Sequence, residues 1–308
     1  MSCLERHRPS VFTPCLSLRA PLAWLYASFA DGLGGGNPAG VVVSAEPLEP
    51  VNAQAIAAAL SVPTTGFVVE PRAGADSTVE VRFFTPEREI DACGHVTIAV
   101  AAALVELGVW QWGGDVTVRA RGGDFPLKLR DGCIEMTQRL RFLKPAPVDW
   151  PEIESALGRV ESRTGLSLAV AGTGLRHLVV PVAGTADLVA LELDAARVAA
   201  LARATGVDTI CVWTATENPS RVRVRDLCAA IGALEEPASG TTAAALALYL
   251  AANGQLTGNE LVVEQGIEMG RPSLIDVSVH PSDTATVRGV ARKLLSGRLE
   301  PWSDGDDS

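Results

Sequence analysis

Apolar and polar positions alternate over 79–84 and again over 221–227, the period of two that presents one face of a strand to a core. Shorter runs of the same kind at 41–44, 67–70, 116–119, 127–129, 178–182, 261–264 and 274–279 predict further strands, and 21–30 predicts a first one. Two segments break this rhythm. Residues 94–107 and 240–253 are Ala- and Leu-rich and apolar nearly all round, and each runs from a Gly to a Gly suited to the C′ position, Gly108 and Gly254. A helix without a polar face has to be buried, so each predicts a central helix with strands around it.

The two segments are copies. Asp91–Gly108 recurs as Pro237–Gly254 at a constant offset of 146 residues, with Cys93 falling on Ser239 and Gly94 on Gly240, and each copy follows one of the long alternating stretches. With too few helical segments to alternate with every strand, the class is α+β: two pseudo-symmetric halves, each a barrel-like mixed sheet around one apolar helix. The halves are expected at 21–145 and 146–300, with the last strand free to cross back to the first. Residues 1–20 are expected to form a loose extension and 301–308 an acidic tail.

Composition narrows the function. With 47% apolar and 20% charged residues the chain can bury a sizeable core. Its net charge of −10, without a basic cluster longer than Arg221–Arg225, argues against nucleic acid and anionic membranes. No run of about 18 uncharged apolar residues offers a membrane span. The stretch 21–30 reads as a strand rather than a signal sequence, and the chain is expected to be cytoplasmic. The cysteines, at 3, 15, 93, 133, 211 and 228, include no C-x-x-C pair, and the four histidines stand at 7, 95, 177 and 280, so neither a zinc site nor a disulfide framework is legible. Gly32–Gly36 resembles a phosphate-cradling loop by composition alone, because Asn37-Pro38 after it blocks a helix start. No metal, nicotinamide or flavin is expected.

A buried helix still exposes its first N–H groups, and its positive end makes an anion site. Gly94 and Gly240 allow close approach to that backbone, so two helix starts facing one cleft would hold a small carboxylate-bearing substrate.

The motifs Gly36-Asn-Pro-Ala-Gly-Val-Val42, Phe84-Thr-Pro86 with Cys93-Gly-His95, Thr173-Gly-Leu-Arg-His177, Glu235-Glu-Pro-Ala-Ser-Gly-Thr241, and Gln265-Gly266 with Met269-Gly-Arg-Pro-Ser273 resemble those of the PhzF-like isomerases of phenazine biosynthesis. The resemblance spans residues 23–298. It implies a cofactor-independent, usually homodimeric enzyme with the diaminopimelate epimerase-like fold and a site between its halves. It also exposes two departures. Isomerising members carry a glutamate in a Ser-Glu-Thr-Ala-Phe-like motif, where this chain has Thr64, a hydroxyl that cannot act unaided as a general base. The family's Glu-Asp-Pro is lengthened here to Glu235-Glu236-Pro237. The related racemases place a cysteine at each helix start, whereas here Cys93 faces Ser239.

These comparisons assign proton transfer to Glu236, with His95 as a neutral helix-start imidazole and Cys93 and Thr64 beside them. Gly94, Ser239, Gly240, Thr241, Asn37 and Gln265 are assigned to substrate binding. Each has a plain structural alternative: Glu236 in a solvated acid pair with Glu235, Cys93 as a small packing residue, Ser239 and Thr241 as caps, and the Asn37, Gln265 and Arg271 segments as turns. The expected reaction moves a proton, and so a double bond, within a small unsaturated carboxylic or amino acid. Specialised-metabolite (antibiotic) biosynthesis is the expected setting, with an alkylproline precursor as one candidate. The alternatives are an epimerase, racemase or dehydratase using Cys93 or Glu236, and an inactive protein that binds small acids.

Overall fold

A computed structural model describes residues 20–300 except 70, 72–76, 131 and 164. The expected extension, apart from Ala20, and the acidic tail lie outside the described residues. The first part of the chain forms β1 (Leu22–Ser28), β2 (Asn37–Ser44), α1 (Pro50–Leu60), β3 (Thr64–Val69), β4 (Thr78–Phe84), the two-residue β5 (Glu89–Ile90), α2 (Gly94–Glu106), β6 (Asp115–Ala120), β7 (Gly123–Arg130) and β8 (Cys133–Arg139). There follow β9 (Phe142–Pro145), α3 (Trp150–Leu157), β10 (Ala169–Gly172), β11 (His177–Pro181), α4 (Thr185–Val189), α5 (Ala195–Thr205), β12 (Thr209–Ala215), β13 (Arg221–Leu227), the two-residue β14 (Glu235–Glu236), α6 (Gly240–Ala252), β15 (Glu260–Gln265), β16 (Ser273–His280), β17 (Thr284–Gly289) and β18 (Ala291–Arg298).

Strand pairing repeats between the halves. One run is β18-β1-β2-β3-β4-β6-β7-β8 and the other β9-β10-β11-β12-β13-β15-β16-β17, joined where β8 pairs antiparallel with β17. The parallel contacts fall at equivalent places, β2–β3 and β4–β6 in one run, β11–β12 and β13–β15 in the other. The edges are exchanged in sequence: β18, from the end of the chain, lies on β1 of the first half, and β9 lies on β10 of the second. The long strands are rich in Val, which suits a pleated and covered surface.

The apolar helices sit where their composition requires. Helix α2 packs inside the first run against β1, β2 and β3, and α6 inside the second against β10, β16 and β17. Most of their residues are fully buried, among them Ile98, Leu104, Leu246 and Leu250, and both belong to one continuous core. Gly66 lets β3 approach α2, since a Cβ there would lie 2.9 Å from Val96 Cγ1 and from Val100 Cγ2. Helices α1, α3, α4 and α5 had no counterpart in the sequence expectation. Helices α3 and α5 cover the outer face of the second half through Ile153, Leu157, Val198 and Leu201, while α1 covers the first through Ala53 and Ala57. The halves therefore share an inner plan and differ in their outer layer.

An ion pair is also duplicated. Arg82 holds Glu89 bidentately at 2.8 and 2.9 Å, and Arg225 holds Glu235 at 3.0 and 2.7 Å. Each fastens a two-residue strand to the long strand before a central helix.

Candidate active site

Helix α2 starts with Cys93 as N-cap and α6 with Ser239, both extended, so each central helix projects a small polar side chain at its mouth. The Ser239 hydroxyl accepts from the Thr242 amide at 3.3 Å and lies 3.1 Å from Thr241 Oγ1. The amides of Gly240 and Thr241 remain beyond the reach of intrahelical partners.

The two helix starts are tied together. Asn37, at the start of β2, is fully buried; its Nδ2 donates to the Ala238 carbonyl at 2.8 Å and approaches His95 Nδ1 at 3.3 Å. A ring whose Nδ1 accepts from an amide carries its proton on Nε2. Burial holds His95 down to about 4, opposed by the Pro38 carbonyl, so the imidazole is neutral at physiological pH. Cys93 Sγ lies 3.4 Å from the same Nδ1. Burial, and then the Glu236 charge, push the Cys93 thiol up to about 12, against the Val96 amide, the Thr64 hydroxyl and the His95 amide. Thr64, at the start of β3, is buried. Residues from both halves thus converge: Asn37, Thr64, Cys93 and His95 from one, Glu236 and Ser239 from the other.

Glu236 is half-buried by surface, but its carboxyl group lies among protein atoms. Burial, and then the charge of Asp226, raise it to about 8. The solvated pairing of Glu236 with Glu235 does not occur, because Glu235 turns to Arg225 and is itself covered. Gln265 is fully buried and committed to backbone: Nε2 donates to the Glu236 carbonyl at 2.7 Å and Oε1 accepts from the Ser239 amide at 3.3 Å. It shapes the segment between Glu236 and α6, and its amide has no free end for a substrate.

Sequence reasoning missed a polar group behind Glu236. Asp226 on β13 is buried, with Oδ2 accepting from Thr242 Oγ1 at 2.6 Å and Oδ1 without a protein partner. Thr242 Oγ1 also lies 3.3 Å from His177 Nδ1, which lies 2.7 Å from Thr209 Oγ1. Burial brings His177 down to about 3. Gln138 was missed as well: its Oε1 accepts from Thr173 Oγ1 at 2.5 Å, and its buried Nε2, unpartnered, stands 4.0 Å from where a Cβ on Gly240 would sit. An acid inside an alternating strand reads as an outward residue, so Asp226 could be found only once β13 was known to be covered on both faces.

The carboxylates of Asp226 and Glu236 and the Cys228 thiol have ligand atoms within 4.8 Å of one another. Burial and the neighbouring acids drive the Cys228 thiol well above its ordinary value, and no histidine joins the group among the described residues. Such a set holds protons more readily than a soft divalent cation.

Two halves around buried helices, with their polar helix starts tied together through Asn37, define an epimerase-like scaffold. Residues 26–297 match the PhzC-PhzF family of phenazine biosynthesis-like proteins, and the chain belongs to that family. An uncharacterized isomerase of Deinococcus radiodurans is 33% identical over 84% of this chain and 86% of its own. Trans-2,3-dihydro-3-hydroxyanthranilate isomerase of Pseudomonas fluorescens is 30% identical over 78% and 84%. Among solved structures, a PhzF-family protein of Bacillus anthracis superposes with a TM-score of 0.80 at 22% identity, over 92% of this chain and all of the other. A hydroxyproline epimerase of Agrobacterium vitis gives 0.57 at 13%, over 92% and 94%, which shows shared fold alone. The chain is a PhzF-family isomerase.

Proposed function

We propose that the protein shifts a proton, and with it a double bond, within a small unsaturated carboxylic or amino acid, with Glu236 as the group that carries the proton. The observation that carries this reading is the position of Glu236: a carboxyl with a pKa near neutrality, beside both helix starts, in a chain whose residue 64 is a threonine. General acid–base groups work best when their pKa lies near the operating pH. The substrate carboxylate is held by the free amides at the helix starts, with Gly94, Gly240 and Thr241 giving access. His95 donates from Nε2, and its neutral form polarises without adding charge. Thr64 and Ser239 order the substrate. Cys93, whose thiol stays protonated, borders the reacting carbon without acting as a base. Each step uses the protein's own side chains and backbone amides.

Trans-2,3-dihydro-3-hydroxyanthranilate, named for the Pseudomonas relative, is an unsaturated amino acid of the class this cleft suits, which supports a role in specialised metabolism; an alkylproline precursor has the same features. We extend the proposal to a cytoplasmic homodimer, an arrangement the family resemblance supports.

Turnover of an unsaturated acid by three variants tests the reading. Glu236→Gln should lower kcat by about 10²–10⁴ and leave substrate binding within a few fold. Thr64→Ala should cost less, mainly in affinity. Near-normal turnover in Glu236→Gln, with activity abolished in Cys93→Ala, would replace this mechanism with thiol chemistry.

A further inference from the structure

Glu236 has one function and two demands. To move a proton from one carbon to another it must first be a base and then an acid, and in related isomerases that burden falls on a glutamate absent here. The sheet register supplies a second carboxyl. Asp226 on β13 and Glu236 on β14 are directly opposed antiparallel partners, so their side chains leave the same face of the sheet. Their neighbours Arg225 and Glu235 leave the opposite face, where the guanidinium is occupied by Glu235 and by the Leu188 carbonyl at 3.0 Å. The nearest cation is therefore turned away.

Apart from Glu235, which is paired with Arg225 on the other face and still pushes Asp226 up, the groups around the two acids are uncharged. Cys228 directly follows β13, Cys211 opposes Asp226 from β12, and Cys93 comes from the start of α2; burial raises all three thiols. His177 on β11 is held neutral. Asp226 Oδ2 accepts from the Thr242 hydroxyl of α6 at 2.6 Å, the Thr209 hydroxyl and the Cys228 thiol also favour its ionised form, and Oδ1 is buried without a hydrogen-bond partner among the described residues. Two carboxylates within 4.8 Å, with no cation in contact among the described residues, cannot both ionise at modest cost.

We propose that Asp226 and Glu236 form one carboxyl pair holding a single proton and a single negative charge, and that Asp226 is the positioning residue that lets Glu236 serve as both base and acid. This rests on the reading of Glu236 as proton carrier. The shared proton rests chiefly on Glu236, the more strongly raised of the two; when it passes to Asp226, the Glu236 carboxylate takes the proton of the substrate C–H, and the C–H electron pair enters the conjugated system as an enolate. The pair is now neutral and the charge sits on the substrate. The enolate then forms a C–H bond at its far carbon with the proton Glu236 returns, and the pair is left again with one proton and one charge. Nothing is oxidised or reduced, and Asp226 never touches the substrate.

The test needs no substrate. Infrared pH titration of the full-length protein, comparing wild type with Glu236→Gln, should reveal one protonated carboxyl at pH 7 that the variant lacks. Asp226→Asn keeps the shape and removes the like charge, so the Glu236 midpoint should fall by about one pH unit. Thr242→Val removes one donor that favours ionised Asp226 and should move the pair's lower midpoint up instead. With substrate, Asp226→Asn should shift the pH profile of kcat in the direction of its infrared midpoint while KM changes within about threefold. The inference is overturned if wild type has no protonated carboxyl at pH 7, if Asp226→Asn leaves the Glu236 midpoint in place, or if a divalent metal bound one per chain is lost in Glu236→Gln. Should Asp226→Asn fail to fold, the wild-type titration and Thr242→Val still decide. Full turnover in Glu236→Gln would instead remove the proposed function, whatever the spectra show.

Discussion

Burying acids and imidazoles at one site makes stability depend on pH in opposite directions. Glu236, raised from 4.5 to about 8, keeps in the folded state a proton that the unfolded chain releases, so its contribution declines as pH rises from about 4.5 to about 8. Asp226, raised from 3.8 to about 6, acts likewise at lower pH. His95 and His177, lowered from 6.5 to about 4 and about 3, refuse protons that the unfolded chain accepts, so their contribution falls as pH drops below 6.5. The slopes offset one another between about pH 4.5 and 6.5. Above that window Glu236 acts alone among the four, and Glu236→Gln removes the penalty. The variant should be more stable than wild type at pH 8 by roughly 1–3 kcal/mol and close to it at pH 4.5. Urea midpoints at the two pH values measure this, and a variant less stable at pH 8 would contradict the assignment.

At the scale of elements, the starts of α2 and α6 combine capping with chemistry. Ser239→Ala removes the acceptor for the Thr242 amide and should cost about 1 kcal/mol in thermal or urea unfolding. Gly66→Ala drives a Cβ against Val96 and Val100 and should cost about 1–3 kcal/mol. Parity with wild type would mean that β3 and α2 separate more easily than their packing implies. The central helices were legible because a segment apolar on every side has one possible place, and their repetition located both. The long alternating strands were legible by their period. Helix α5 carried readable signals, Asp194 capping the Arg197 amide and Gly206 closing its end in the left-handed region, but its alternation of Ala and Arg gave a weak stripe. Strands β10 and β12 were unreadable because strands covered on both faces lose their alternation. At the site, motif residues such as His95 and Glu236 could be found from sequence. Asp226 could not, since its role depends on a register across a seven-residue connection, and Gln265, chosen as a ligand contact, serves the backbone.

The whole molecule depends on its seam. Strands β8 and β17 pair across it, Thr137 and Thr286 hydroxyls meet there at 3.2 Å, and Asn37 of one half holds the Ala238 carbonyl of the other. The buried Asn37 Oδ1 and Gln138 Nε2 are both unpartnered beside this seam, and unpaired buried groups cost free energy that a ligand can recover. A small carboxylate bridging the helix starts would accept from the buried Gln138 Nε2 and from helix-start amides of both halves at once, and stabilise the assembled molecule rather than one part. At about 100 times its dissociation constant such a ligand adds roughly 2.7 kcal/mol, which for a chain of this size raises Tm by about 4 °C. The methyl ester of the same acid keeps the apolar contacts but presents no charge to the helix ends, and should give little shift. Asn37→Leu, which breaks the link between the halves, should reduce the response to the acid and leave the ester unchanged. Calorimetric scans with acid and ester side by side measure both effects; equal shifts from the two ligands would show that the helix starts do not recognise the carboxylate.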